Sequence, residues 1–297
     1  MVTRRDALWR LGSMAAGAAG ASVLAGGGSA LGQPSPGRVR GGAPRRIKPV
    51  GVQLYTVRDE MQRGVASTLE RVAAIGYDEV EFAGYFNPGY FNHSPEEIRD
   101  LLAAVGLKAP ATHIPPSFEP DEWNRILDEA ARAGHDWVVV PSLPGEMRSS
   151  LDAWRRTAEA MTRAAEQARA AGLRFAYHNH ALEFEEMEGR VPLDVLCEAA
   201  DPDLVKIELD LYWAIDGGGD PVAFFQRWPG RVSLVHVKGR GEAGDMVDVG
   251  AGVIDWAAIF AHADEAGIEH YFVEHDRPED SMRSIEASYR YLSALKV

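Results

Sequence analysis

From Val50 onward, short apolar runs alternate along the chain with longer stretches in which apolar residues recur at helical spacing. The short runs predict strands at 50–55, 78–82, 107–113, 136–141, 173–179, 204–210, 231–237 and 270–275. The amphipathic stretches predict helices near 65–75, 95–105, 120–133, 149–171, 192–200, 220–228, 255–266 and 280–295. Eight strands that alternate with eight helices imply a parallel sheet, and we predict a single (β/α)8 TIM barrel of the α/β class.

Glycines separate several predicted helices from the strands that follow. They stand at Gly76, Gly106, Gly134, Gly172 and Gly267, each just before an apolar run. Glycine there adopts the left-handed conformation that commonly ends a helix. An open, doubly wound sheet is the structural alternative, but no glycine-rich phosphate loop follows the first strand.

The N-terminal segment is typical of an export signal rather than of the barrel. A twin-arginine pair, Arg4-Arg5, precedes an alanine- and glycine-rich apolar run from Leu11 to about Ala25. The small residues Gly28-Ser29-Ala30 then suit signal peptidase cleavage. This pattern predicts recognition by the Tat export machinery.

The predicted domain organisation has three parts. Residues 1–30 form the Tat signal peptide, 31–48 a flexible linker rich in Gly, Pro and Arg, and 49–297 the barrel. The apolar run is too short and too rich in small residues for a stable membrane anchor. We therefore expect a periplasmic or extracellular protein.

Charge and cysteine content narrow the function classes. The 297 residues carry a net charge of −13, which disfavours binding to nucleic acid. Cys197 is the single cysteine, so an intrachain disulfide is excluded, and we expect a buried, unreactive thiol. The sequence leaves open whether the protein forms a homo-oligomer.

Polar side chains stand at the ends of the last four predicted strands. They are His178 and His180, Asp210, His236 and Lys238, and Glu274. Because all strand C-termini of a parallel barrel open onto one face, these residues should meet there. Imidazole and carboxylate groups together predict a bound divalent metal ion.

Weaker candidates lie on the earlier strands and in the loops of the same face. Glu81 and His113 end the second and third strands, and Glu183 follows the fifth. We predict that these three residues contact substrate, with metal binding as the alternative for Glu81 and His113. Aromatic side chains that could stack on a sugar ring are Tyr85, Phe86, Phe118 and Trp213.

Seven segments together resemble the sugar phosphate isomerase/epimerase family of xylose-isomerase-like TIM barrels. They are Gly51–Arg58, Glu81–Gly84, Tyr177-His-Asn-His180 with Glu183-Phe184, Glu208–Trp213, His236-Val-Lys238, Gly250–Trp256 and Val273-Glu274. The resemblance covers about residues 50–295. It implies a metal-dependent sugar isomerase or epimerase that acts on a small-molecule carbohydrate.

The resemblance also implies a ligand set of one residue from each of the last four strands, typically Glu, Asp, His and Glu. Asp210, His236 and Glu274 match the last three. This chain has His178-Asn179-His180 where the family has the first Glu, and we assign His178 to the metal while His180 stays an alternative. Mixed nitrogen and oxygen ligands favour Mn, Zn, Co or Fe, with Mg less favoured.

Members of the family abstract a proton beside a metal-bound carbonyl. The resemblance assigns this role to Glu274, and the second acid or base would be His180, Lys238 or Glu183. Trp213 stands where several relatives carry a sugar-binding histidine. Two other functions stay open: a dehydratase or lyase acting on a keto-sugar or inosose, and an exported sugar-binding protein without catalysis.

Overall fold

The computed structural model describes residues 46–83 and 90–297. Within these residues, eight parallel strands close into a barrel in chain order, and the last strand pairs with the first. The barrel strands are β1 Val50–Gln53, β2 Glu79–Phe82, β3 Lys108–His113, β4 Trp137–Val140, β5 Arg174–His178, β6 Val205–Asp210, β7 Val232–Val237 and β10 His270–Val273. The predicted fold class is therefore confirmed.

Helices follow the strands around the outside. They are α1 Arg58–Arg63, α2 Val65–Ile75, α3 Pro95–Val105, α4 Pro120–Ala133, α5 Leu151–Ala170, α6 Pro192–Ala199, α7 Leu211–Asp216, α8 Pro221–Arg227, α9 Trp256–Phe260, α10 Ala263–Ala266 and α11 Ser281–Ala294. Short 3-10 turns span Gly145–Arg148 and Ala181–Glu183. None of the helices in the described ranges is long and apolar enough to cross a membrane.

Several local features differ from the sequence-based prediction, among them the unpredicted helices α1 and α7. The helix expected near 255–266 is divided into α9 and α10. Helix α7 begins directly at the end of β6, where the Asp210 side chain accepts a hydrogen bond from the Trp213 backbone N–H. Strands β8 (Gly239–Arg240) and β9 (Met246–Val247) form a small antiparallel hairpin after β7.

The described chain begins within the predicted linker. Arg46 pairs with Lys296 in an antiparallel bridge, and Ile47 is buried in the hydrophobic core. The barrel therefore includes residues before the predicted boundary at 49. The predicted signal peptide, 1–30, lies outside the described residues.

The apolar core is divided by the barrel wall. Most buried apolar side chains fill the layer between strands and helices, including Cys197 on α6, where burial raises the pKa of the thiol to about 12. A separate cluster contains Ala111, Trp137, Val139, Ala176, Leu234 and Phe272. Alternate residues of a strand share a face. Each of four members of this cluster therefore points the same way as the residue two positions after it; these members are Ala111, Ala176, Leu234 and Phe272.

Those later residues are His113, His178, His236 and Glu274. The inside of the barrel is thus apolar below and polar towards the C-terminal ends of the strands. Gly51 makes room for this arrangement, since a Cβ atom there would lie 2.5 Å from Phe272 Cδ1.

Candidate active site

Two groups of buried side chains meet inside the C-terminal end of the barrel. His113, His178, Glu208 and His236 form the inner group, and Asp210, His236 and Glu274 form the outer group. Within each group, one nitrogen or oxygen atom of every residue lies within 4.8 Å of the corresponding atoms of the others. His236 belongs to both groups.

In the inner group, three imidazoles converge on one carboxylate oxygen. Glu208 Oε2 lies 2.7 Å from His113 Nε2, 3.0 Å from His178 Nδ1 and 3.2 Å from His236 Nε2. Glu81 adjoins this group: its Oε2 accepts hydrogen bonds from Gln53 Nε2 at 2.8 Å and from His236 Nε2 at 2.7 Å.

In the outer group, a lysine ammonium lies among three carboxylates. Lys238 Nζ is 2.9 Å from Asp210 Oδ2, 2.8 Å from Glu274 Oε2 and 2.8 Å from Asp276 Oδ1. The contact to Asp210 Oδ2 is an ion pair without hydrogen-bond geometry. The side chain of Lys238 is almost completely buried, so its charge acts in a medium of low polarity.

His236 connects the two groups through its two ring nitrogens. Nδ1 lies 2.7 Å from Glu274 Oε2, while Nε2 lies 2.7 Å from Glu81 Oε2. Burial opposes a charge on this ring, but the Glu208 and Glu274 carboxylates raise the pKa of His236 well above its usual value. The ring can therefore donate a hydrogen bond from both nitrogens.

The carboxyl groups differ in protonation because their surroundings differ. Burial, together with the neighbouring Glu208 charge, raises the pKa of Glu81 to about 7. Burial opposes ionisation of Glu208 as well, but His236 and His113 hold its pKa well below the ordinary value. For Glu274, Lys238 and His236 outweigh burial and also hold the pKa well below the ordinary value. Glu274 is therefore a carboxylate at neutral pH.

Asp210 is fixed by its backbone as well as by Lys238. Asn179 accepts a hydrogen bond from the Asp210 N–H at 2.9 Å and donates one to the Asp210 carbonyl at 3.3 Å. Asp210 Oδ1 accepts from the Trp213 N–H at 3.0 Å. The sequence predicted no role for Asn179, which lies between His178 and His180. In the structure it aligns the end of β5 with the end of β6 at the site.

The residues after β5 form a separate buried network. Glu183 accepts from the Tyr177 hydroxyl through Oε1 at 2.5 Å and from the His180 N–H through Oε2 at 2.8 Å. Burial raises the pKa of Glu183 to about 7. Both oxygens of this predicted substrate contact are therefore engaged within the fold, where they position the His180 backbone.

His180 and Trp213 lie above the two metal-type groups. The rings of His180 and Trp213 are 5.9 Å apart, and Lys238 Nζ lies 5.7 Å from the Trp213 ring centroid. Burial, with the Lys238 charge, lowers the pKa of His180 to about 3, so the imidazole is neutral. Phe118 instead packs against Trp123 and Phe175, while Tyr85 and Phe86 lie outside the described residues.

Glu208 and Asp276 were not predicted as site residues, whereas Gln53 is a weaker candidate at the end of the first predicted strand. Glu208 lies at the centre of the inner group, Gln53 holds Glu81, and Asp276 completes the cage around Lys238. Glu208 lies two residues before Asp210 and therefore shares its strand face, and this spacing is the sequence feature that indicated a place for Glu208 inside the barrel. Of the four predicted metal ligands, His178 lies with the inner group, Asp210 and Glu274 with the outer, and His236 with both.

Both groups offer imidazole nitrogens and carboxylate oxygens that could hold a divalent cation. Glu81 Oε1 and Glu208 Oε1 are buried, and neither finds a hydrogen-bond partner within residues 46–83 and 90–297. A buried carboxylate oxygen without a partner is costly, and a cation would satisfy it. The separations of 2.7–3.2 Å around Glu208 Oε2 are close to the edge of a tetrahedral site, about 3.3 Å for bonds of about 2.0–2.1 Å.

Comparisons with known proteins agree with this architecture. A family model described as the xylose isomerase-like TIM barrel matches residues 69–295. An inosose dehydratase from Geobacillus kaustophilus (strain HTA426) is 34% identical over 192 residues, which cover 57% of this chain and 60% of that enzyme. The match thus spans less than two thirds of the relative's length.

Two solved structures show the same likeness. A sugar phosphate isomerase/epimerase from Parabacteroides distasonis ATCC 8503 superposes with a TM-score of 0.74 at 26% identity, covering 87% of this chain and 98% of that one. The IOLI protein, solved with a bound zinc atom, has a TM-score of 0.66 at 17% identity, covering 82% and 95%. The second likeness shows the fold alone. With a barrel of the predicted topology and a family match across most of its length, this chain belongs to the xylose isomerase-like TIM barrel family.

Proposed function

We propose that this protein is a divalent-metal-dependent dehydratase acting on a keto-sugar or inosose. The observation that carries the proposal is the arrangement at Glu274: an ionised carboxylate held by Lys238 at 2.8 Å and by His236 at 2.7 Å, at the mouth of a barrel that fits a cation. The inosose dehydratase from Geobacillus kaustophilus, 34% identical over part of this chain, supports the same reaction class.

The metal ion would be held by residues of the inner and outer groups. When bound, it supplies a Lewis acid that polarises a substrate carbonyl and so acidifies the neighbouring C–H bond. Zn, Mn, Co and Fe suit a set of three imidazoles and carboxylates, and Mg suits it less well.

Glu274 is the group that moves the proton. Its carboxylate takes a proton from the carbon beside the carbonyl, and the electron pair of the C–H bond forms the new double bond. The C–O bond on the next carbon then breaks, and the same carboxyl group returns its proton to the departing oxygen, which leaves as water. Lys238 and His236 keep Glu274 ionised before each turnover.

A single acid–base group agrees with the engagement of Glu183. An epimerase that works with two carboxylates requires a second free carboxylate on the opposite face of the substrate carbon. Glu183, the predicted candidate after β5, uses both oxygens for Tyr177 and His180. His180, a neutral and half-buried imidazole, is then placed to contact substrate rather than to supply a proton.

A sugar isomerase or epimerase is the second candidate. It shares the first proton transfer, and the 26% identity to the Parabacteroides distasonis sugar phosphate isomerase/epimerase over most of the chain favours it. The export signal predicted at Arg4-Arg5 leads us to propose a substrate without phosphate, because sugar phosphates are mainly cytoplasmic metabolites.

One assay separates the candidates. The metal-loaded protein is incubated in D2O with a panel of keto-sugars and inososes, and products are followed by mass spectrometry and ultraviolet absorbance. A dehydratase yields a product that has lost water and absorbs as a conjugated enone. Deuterium incorporation without loss of water indicates the isomerase or epimerase, and neither change across the panel contradicts both enzyme functions in favour of sugar binding alone.

A further inference from the structure

Gln53 is a buried amide whose orientation is fixed by the backbone. It ends β1 and is completely buried. Its Oε1 lies 3.0 Å from the Tyr55 backbone nitrogen, and a backbone N–H can only donate a hydrogen bond. The amide atom that faces Tyr55 must therefore be the oxygen. The NH2 group of Gln53 then faces Glu81, and Nε2 lies 2.8 Å from Glu81 Oε2.

Strand pairing keeps the side chains of Gln53 and Glu81 next to each other. The two residues are register partners where β1 pairs with β2, and the Leu54 N–H donates to the Glu81 carbonyl at 2.9 Å. Neighbouring strands of a sheet lie about 4.8 Å apart, so this contact does not depend on the conformation of a loop. Gln53 is thus a fixed hydrogen-bond donor to Glu81.

The donors to Glu81 converge on one of its two carboxyl oxygens. Oε2 accepts from Gln53 and also from His236 Nε2 at 2.7 Å, and His113 Nε2 is 3.4 Å from the same oxygen. Oε1 is buried and has no hydrogen-bond partner within residues 46–83 and 90–297. Because a buried acceptor without a partner is costly, this oxygen indicates a ligand that donates a hydrogen bond to it.

The position of Glu81 separates it from the predicted metal ligands. In the described ranges, the site has two other buried carboxyl oxygens without a hydrogen-bond partner, Glu208 Oε1 and Asp210 Oδ2. Asp210 is a predicted metal ligand, and Glu208 lies two residues before it on β6. Glu81 is carried by β2, whereas the predicted ligands lie at the ends of β5, β6, β7 and β10. We therefore assign the free oxygen of Glu81 to the substrate.

We propose that Gln53 is a positioning residue that holds Glu81 with Oε1 directed towards a hydroxyl group of a polyhydroxylated substrate. Glu81 accepts the hydrogen bond from that hydroxyl, and Gln53 acts through Glu81. This inference rests on the proposed function, because it requires a keto-sugar or inosose at the mouth of the barrel. It makes the pair a determinant of specificity, since an analogue without the hydroxyl would leave a buried acceptor unpaired.

Substrate selectivity distinguishes this role from a structural one. The ratio kcat/KM is measured for an inosose and for each of its monodeoxy analogues. For one analogue, we expect the wild type to prefer the parent by about 100-fold, Gln53→Leu by about tenfold, and Glu81→Ala not at all. The double variant should show the same selectivity as Glu81→Ala alone, because Gln53 acts through Glu81.

Thr68→Val is the control for a general loss of stability. Thr68 is buried on α2, and its hydroxyl donates to the Gly64 carbonyl at 2.7 Å. This variant should keep the wild-type preference for the parent sugar. If Gln53→Leu does not fold, Gln53→Met of similar length replaces it. An equal loss of rate for the parent and for every analogue in the Gln53 variant would show a structural role and overturn the inference.

A measurement without substrate tests the pairing independently of the reaction. In protein with ¹⁵N-labelled glutamine side chains, the NH2 signals of Gln53 are assigned by their loss in Gln53→Leu. We expect these signals to exchange with solvent more slowly than those of the exposed Gln167 and Gln226, and to shift in Glu81→Ala. Rapid exchange, or unchanged signals in Glu81→Ala, would overturn the inference while leaving the proposed function in place.

The two proposals can also fail in the opposite order. If no sugar of the panel is converted, the proposed function fails, and the preference for the parent over its analogues is measured as a ratio of dissociation constants by calorimetry. The same loss of preference in Gln53→Leu would then support the inference for a binding site. A wild-type protein that binds the parent and all analogues equally, or binds none of them, would overturn it.

Discussion

His135 should make the stability of the barrel depend on pH between about 4 and 6.5. The residue precedes β4 and is 4% exposed. Its Nδ1 lies 2.6 Å from the Ala109 carbonyl and therefore donates, while Nε2 lies 3.0 Å from the Tyr90 hydroxyl and accepts. Burial lowers the pKa of His135 to about 4, from an ordinary value of 6.5.

The sign follows from which state binds the proton. Between pH 6.5 and 4 the unfolded chain protonates His135 and the folded chain does not, so the free energy of unfolding decreases as pH falls. Above pH 6.5 the ring is neutral in both states, so it does not change the free energy of unfolding there. For these pKa values, linkage predicts a loss of about 2 kcal/mol at pH 5 and about 3 kcal/mol at pH 4.

The assay is urea unfolding of wild type and His135→Asn at several pH values from 7.5 to 4.5, a range that brackets most of the transition. Asparagine can still donate a hydrogen bond to the Ala109 carbonyl, and we expect the variant to be less stable than the wild type at pH 7.5. Because asparagine does not titrate, the free energy of unfolding of the variant should decrease less on acidification. The difference between the two pH profiles isolates His135 from the other titrating groups. Parallel profiles would refute the reasoning, because they would show that this ring titrates alike in both states.

Three further predictions concern catalysis, packing and export. Glu274→Gln should lower kcat by about 10²–10⁴ and abolish exchange of the substrate proton with D2O, while the variant stays folded; retained exchange would exclude Glu274 as the base. Gly51→Ala should destabilise the barrel by about 1–3 kcal/mol, because its Cβ would lie 2.5 Å from a phenyl carbon of Phe272. The control is Gly145→Ala, whose Cβ would meet no atom of the described chain within 4 Å, and it should unfold at nearly the wild-type urea concentration. Replacing Arg4 and Arg5 with lysine should retain the protein in the cytoplasm, as cell fractionation would show; export of the double variant at the wild-type level would contradict the predicted Tat signal.

The fold and the face of the site followed from local patterns. Alternation of strand and helix periods predicted the barrel, and the position of Asp210, His236 and Glu274 at strand ends predicted that they would share its mouth. These features depend on residues close in sequence, and on the rule that parallel strands of a barrel all point to one face. The burial of Cys197 was predicted in the same way.

What only the tertiary structure decided was the depth of each side chain and the partner that each charge finds. The alternation of side chains along a strand shows which face of the sheet a residue occupies. The tilt and register of the strands set the height of that residue within the barrel. That is why Glu208, one pleat below Asp210, meets His113, which lies three strands away around the barrel, and why Glu183 turns into the fold towards Tyr177. The sequence by itself determined a polar mouth on a parallel barrel; the closure of that barrel determined that Lys238 lies among the outer carboxylates and that His113 and His178 meet Glu208.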